Sequence, residues 1–224
     1  MGVYLVLAGY PLKMRTGFHH QLDMLTDQVA DMCTMAAEAI DQAGQALLEA
    51  DLITAESVIA RQRSVVALDA HVEETAFALL ALQAPVATDL RAVVSALRIA
   101  ADARRMVELA VHIADIARRR HPYPAVAAEL RPHVAAMGEA AEALALEARQ
   151  VLVSQDPREA AQIRHNDDAM DELHHQLLAV LKDSAWTQGV AAAVDATLLG
   201  RFYERFADHA VQIARRVIFQ ATGR

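Results

Sequence analysis

Residues 201–216, RFYERFADHAVQIARR, decide how this chain reads. Glu204 and Asp208 stand four residues apart among apolar positions. On a helix both carboxylates then lie on one face, with Cβ atoms roughly 5–6 Å apart. A worn copy, ADARRMVELAVHIADI, occupies residues 101–116. Arg105, Ala110, Val111, Ile113 and Ala114 recur there as the counterparts of Arg205, Ala210, Val211, Ile213 and Ala214, whereas the acidic pair has become Arg104 and Glu108. The chain reads as a duplication whose carboxylate face is intact in one half and degraded in the other.

The repeat extends upstream of this motif. At a constant offset of 105, Met32 matches Met137, Ala36 matches Ala141, Asp51 matches Asp156, Val58 matches Ile163 and Leu68 matches Leu173. The offset falls to 100 at the third element, so the second half has a connection five residues shorter. Each unit reads as three helices, near 19–49, 53–82 and 86–120 in the first half and 132–154, 157–184 and 189–221 in the second. Leu22, Leu25, Val29, Met32, Ala36 and Ile40 keep the spacing of a buried helical face. Pro85 and Pro157 suit first helical turns, and Gly189 punctuates the loop before the sixth helix. His121-Pro-Tyr-Pro124 is the natural boundary between units.

Composition agrees. The 224 residues are 54% hydrophobic but only 4% aromatic, with eight glycines and six prolines, which favours long, closely packed helices over strands and turns. A net charge of −8 argues against a nucleic-acid binder, which needs a basic face to neutralise phosphates. The local basic clusters, Arg118 to Arg120 and Arg215–Arg216, suit helix C-termini. The single cysteine, Cys33, excludes an intramolecular disulfide, fits a reducing compartment and sits at a core-like position. Residues 3–12 are apolar but too short to span a membrane and lack a basic region before them. Met14 reads as the more natural start, which makes residues 1–13 an extension expected to be poorly ordered.

Three segments carry a resemblance to the PhoU family, regulators of bacterial phosphate uptake. Gln83, Pro85, Val86, Ala87, Asp89, Leu90 and Arg91 are similar to the stretch that opens that family's third helix. Glu204, Arg205, Asp208, His209 and Ala210 resemble its acidic signature, and Met14 to His19 its beginning. The resemblance covers residues 14 to 224. It implies an all-α fold of two tandem three-helix bundles, 14–120 and 121–224, and a cytoplasmic, non-catalytic and often dimeric protein. It further implies restraint of the phosphate ABC transporter, through its ATPase subunit, and of the phosphate-sensing histidine kinase. Its carboxylate motifs imply a bound divalent or trivalent metal, whether iron, Mn, Mg or Zn.

Residues of the fifth helix complete a candidate site. Asp167 and Asp171 are also four apart, and antiparallel packing of helices five and six lets them face Glu204 and Asp208. Four hard oxygen donors suit Mg²⁺, Mn²⁺, Ca²⁺ or iron better than a thiolate-seeking metal. The alternative is an acidic, solvated helix face. In the first half the matching positions are Gln62, Val66 and Arg104, with Asp69 and Glu73 the remaining acids nearby, so no metal is expected there and Glu108 is expected to pair with Arg104. Glu172 and His175 offer the Glu-x-x-His spacing of a ferritin-like di-iron enzyme. Their counterparts are Ala67 and Ala70, which leaves that motif without its second copy, and His174 and His175 read as surface residues. A Gly-rich phosphate loop, a nucleophile elbow and a zinc-spaced Cys/His set are all missing from the sequence. A metal-free helical adaptor is the remaining reading.

Overall fold

The computed structural model describes residues 12–223, and side chains from Gly17 onward except that of Gln83. Six long helices account for almost all of it: α1 (Leu12–Glu49), α2 (Leu52–Gln83), α3 (Ala87–Arg120), α4 (Arg131–Ser154), α5 (Pro157–Lys182) and α6 (Gly189–Thr222). No strand occurs among the described residues. None of the described helices is long and apolar enough to cross a membrane. Of the expected N-terminal extension, residues 1–11 lie outside the described residues, while Leu12 and Lys13 already belong to α1.

The periodic positions of α1 go where their spacing sends them. Leu25, Val29, Met32, Ala36 and Ile40 are buried, and Leu22 packs against the same core. The repeat is also visible in the turns. Ala50 and Gln155 occupy equivalent positions and both adopt left-handed backbone, with φ of 56° and 53°. Asp51 and Asp156 then cap the following helices. Asp51 Oδ1 accepts from the Ile53 and Thr54 amides at 2.9 and 3.3 Å, and Asp156 Oδ1 accepts from the Arg158 amide at 2.7 Å. The Asp51/Asp156 match thus has a local cause, since an Asp at the N-cap satisfies amides that have no helical partner. Ala50 has no need of its Cβ and is strained by it, so Ala50→Gly should stabilise the fold by about 0.5–1 kcal/mol. A urea titration should show this as a raised midpoint. An unchanged or lowered midpoint would show that the turn stores no strain.

Pro85 departs from expectation. It precedes α3 instead of opening it, because Ala84 ends α2 in left-handed backbone (φ 43°) and Val86, the N-cap, stays extended (φ −125°). Three non-helical residues, 84–86, separate the second helix from the third.

Helices α1, α2 and α3 pack on one another, as do α4, α5 and α6, which makes two three-helix bundles. The bundles then meet along two seams, α1 against α4 and α3 against α6. Each seam pairs a helix with its own duplicate, the arrangement of a two-fold symmetric, self-complementary interface. Both run antiparallel. Arg131, at the start of α4, donates to the Leu48 carbonyl near the end of α1 at 2.6 Å. Arg120, at the end of α3, donates through Nε to Asp195 Oδ2 near the start of α6 at 2.7 Å. A single apolar cluster runs through both bundles. Phe206 and its repeat counterpart Met106 are both fully buried in it.

Candidate carboxylate site between α5 and α6

Helix α6 buries Leu199, Tyr203, Phe206, Ala207, Ala210, Ile213, Ala214 and Val217. That leaves one polar face, on which Arg201, Arg205, Asp208 and Arg215 are exposed and Glu204 is half-buried. Helix α5 packs beside it and brings up Asp167, half-buried, and Asp171, exposed. The four carboxylates share one electrostatic neighbourhood. Burial, together with the charges of Asp171, Asp208, Asp168 and Glu204, pushes the Asp167 carboxyl from 3.8 up to about 6.

They do not share a focal point. Among the described residues no group of three His, Cys, Asp or Glu side chains is arranged to hold a metal ion. Glu204 Oε2 already accepts from Arg201 Nη1 at 2.5 Å and lies 3.4 Å from His174 Nδ1. By donor type the four side chains fit a hard cation, and the field that raises Asp167 is one a cation would relieve. Glu204 could join such a set through Oε1, its Oε2 being held by Arg201.

His174 corrects the expectation of a surface residue, its side chain being only 18% exposed. It packs over Gly200, where an added Cβ would lie 2.9 Å from His174 Cδ2 and 2.8 Å from Leu177 Cδ2. Glycine at 200 is what allows α5 and α6 to approach there. The first half holds the equivalent contact with reversed polarity. Position 69 matches 174 and position 104 matches 204, and Arg104 Nε lies 3.4 Å from Asp69 Oδ2. Each half closes its second and third helices with a polar contact, cation on α3 and anion on α2 in one, anion on α6 and histidine on α5 in the other. The expected Arg104–Glu108 pair is present at 3.7 Å, but each has a nearer partner. Glu108 meets Arg105 at 2.5 Å, because the i, i+3 reach is shorter than the i, i+4 one here. A cation at this place would face Arg104 and Arg105.

Glu172 and His175 both face solvent, and Glu172 accepts from Gln176 at 2.9 Å, so the pair does not point into the bundle. Cys33 is fully buried, and burial pushes its thiol up to about 12, as expected of a core residue. Of the basic cluster, Arg119 donates to the Asp115 carbonyl in the last turn of α3 at 3.3 Å, while Arg120 instead bridges the bundles. His209 directly follows Asp208 of the acidic face, yet its Nδ1 lies 2.9 Å from Asp102 Oδ1 across the α3–α6 seam. The repeat counterparts of that pair are Leu109 and Phe202, so no internal match could have revealed it. Phe202 instead stacks on His112, ring centroids 5.2 Å apart.

Two fused three-helix bundles with a carboxylate face on the second define a duplicated, all-helical protein built around helix faces. The PhoU domain model matches it twice, over residues 29–117 and 134–217, one match for each half of the repeat. The "Phosphate-specific transport system accessory protein PhoU homolog 2" of Mycobacterium tuberculosis is 57% identical over 210 residues, covering 94% of this chain and 99% of that protein. Homolog 1 of Mycobacterium leprae is 56% identical, covering 94% and 95%. The chain belongs to the PhoU family. The crystal structure of the phosphate transport system regulatory protein PhoU from Streptococcus pneumoniae has the same fold, with a TM-score of 0.82 at 22% identity, covering 92% of this chain and 98% of that one.

Proposed function

We propose that this protein is a cytoplasmic accessory and regulator of phosphate transport that acts through protein contacts and not as a catalyst. Membership in the PhoU family across both halves carries this reading, joined to the accessory role in the names of its relatives. Its partners are the ATPase subunit of the phosphate ABC transporter and the phosphate-sensing histidine kinase, and it associates as a homodimer. An affinity-tagged copy recovered from phosphate-replete cells should bring down both partners, identified by mass spectrometry against an untagged control. Recovery of neither would count against the assignment.

The second bundle binds a metal ion on this reading, with Asp167, Asp171, Asp208 and Glu204 as ligands, Glu204 through the oxygen that Arg201 does not hold. What supports this is the surplus of negative charge that holds Asp167 up near 6. A bound metal ion, whether Mg, Mn, iron or Zn, would supply neutralisation of those carboxylates. Asp167 and Asp171 on one side and Asp208 on the other place that neutralisation between α5 and α6, which would tie the two helices together. Isothermal titration with Mg²⁺, Mn²⁺, Fe²⁺ and Zn²⁺ into chelator-treated protein should show saturable binding that Asp208→Asn removes.

A further inference from the structure

The α3–α6 seam carries different charge at its two ends. At the end formed by the start of α3 and the end of α6, residues 90–101 and 209–223 contain no Asp or Glu, in a chain that has 29. The same stretches carry Arg91, Arg98, Arg215 and Arg216. At the opposite end the arginines are neutralised. Arg118 and Arg119 both pair with Asp115, the second at 3.1 Å, and Arg120 is held by Asp195. The repeat counterparts of Arg98 and Arg216 there are Leu198 and Ile116. The duplication therefore supplies the seam but not its unpaired arginines.

Two contacts fix where these arginines lie. His209 Nδ1 meets Asp102 Oδ1 at 2.9 Å, and Gln220 Nε2 donates to the Ala92 carbonyl at 3.5 Å. Arg98 is one turn from Asp102 towards Ala92, and Arg216 is one turn from Gln220 towards His209, each on the face its neighbour uses. Antiparallel packing thus brings Arg98 and Arg216 to the same stretch of the seam from opposite sides. Arg98 is exposed and Arg216 half-buried. Among the described residues neither has an ion pair or a hydrogen bond.

Arg216 also lies outside the last turn of α6, where it would complement the helix dipole. Its Nε is enclosed without an acceptor, whereas its terminal nitrogens are not enclosed. Arg91 repeats the pattern, with Nε enclosed and unpartnered and Nη2 donating to the neutral Thr88 Oγ1 at 3.1 Å. Each guanidinium is held by its inner edge and presents its outer one. Like charges gathered on one seam repel, and an anionic ligand removes that repulsion.

Spacing selects the occupant. Arg91 and Arg98 are seven residues apart, about 10 Å along α3, and Arg216 stands across from them on α6. Guanidinium groups spread in this way do not converge on one small anion. They match a row of carboxylates, each of which a guanidinium fork can take in bidentate geometry.

We propose that this end of the α3–α6 seam receives an acidic segment of a protein partner. Arg98 and Arg216 donate to its carboxylates, and Arg91 extends the row. This deepens the accessory role by giving a partner contact a place and a chemistry, and it rests on that role only for the partner being a protein.

The test is a fluorescence-anisotropy titration of the purified full chain with a short labelled peptide alternating glutamate and alanine, at physiological salt. Binding should saturate, and Arg98→Gln/Arg216→Gln should weaken it by at least about tenfold, the scale of losing charge-assisted hydrogen bonds. Arg98→Gln alone, at an exposed position, should weaken it by about threefold or more while leaving the melting temperature unchanged. Arg118→Gln/Arg119→Gln, at the other end of the seam, removes the same two charges and should leave binding within about twofold of wild type. Equal weakening by the two double variants would overturn the proposal, because net charge alone would then explain binding. Unchanged binding in Arg98→Gln, or no saturable binding by wild type, would overturn it as well. So would a DNA oligonucleotide of equal charge that binds as tightly as the peptide. The titration reads the isolated protein, so its failure and a failure of the regulatory role in cells are separate results.

Discussion

Phe206→Ala should cost about 3–5 kcal/mol, the usual range for emptying a fully buried aromatic site, and lower the melting temperature by roughly 6–20 °C in a chain of this length. Phe206 is fully buried in the single apolar cluster that runs through both bundles, so the cavity opens in the core that both halves share. The loss should therefore be global. Trp186, the single tryptophan, lies in the second half and its fluorescence reports there, while far-UV circular dichroism reports every helix. Both melts should shift together and remain single transitions. Two transitions, with the first half keeping its original midpoint, would mean that the seams contribute little and the bundles fold independently.

Asp167→Asn should stabilise the metal-free protein at neutral pH. The sign follows from the raised carboxyl. In the folded state Asp167 titrates near 6 rather than 3.8, so between those pH values the native state binds the proton more tightly and stability falls as pH rises. Above pH 6 the ionised group is a full liability. The upper limit for its removal is about 3 kcal/mol, and partial exposure brings the expectation down to about 1 kcal/mol. In chelator, wild type should lose melting temperature between pH 4 and 6 more steeply than Asp167→Asn. Excess divalent metal stabilises whatever folded state binds it, so it should raise the melting temperature of wild type and of Glu108→Gln but much less that of Asp167→Asn. Equal metal-induced shifts in all three would show that the carboxylates are only a solvated face.

The duplication was legible because its causes are local. Asp51 and Asp156 recur because each caps a helix after a left-handed turn, and such chemistry repeats whenever the backbone does. The acidic face was legible for the same reason, since i, i+4 spacing alone puts Glu204 beside Asp208. The contacts between elements were not. Nothing in the spacing of α6 says that His174 will lean on Glu204 or that His209 will leave the acidic face for Asp102. These depend on which helices meet, and the choice of α1–α4 and α3–α6 seams is made by Ala-rich faces that look alike along the sequence. The repeat register aligns Arg104 with Glu204 and Asp69 with His174, but that these aligned residues touch is fixed by helix packing and not by spacing.

Restraint of phosphate uptake is tested most directly in cells. In a strain lacking this protein and any second copy of the family, the initial rate of labelled phosphate uptake should be followed as phosphate is added to starved cells. Uptake should stay high in phosphate-rich medium and fall again when the wild-type gene is restored. A deletion strain whose uptake declines as quickly and as far as the parent's would contradict the regulatory role.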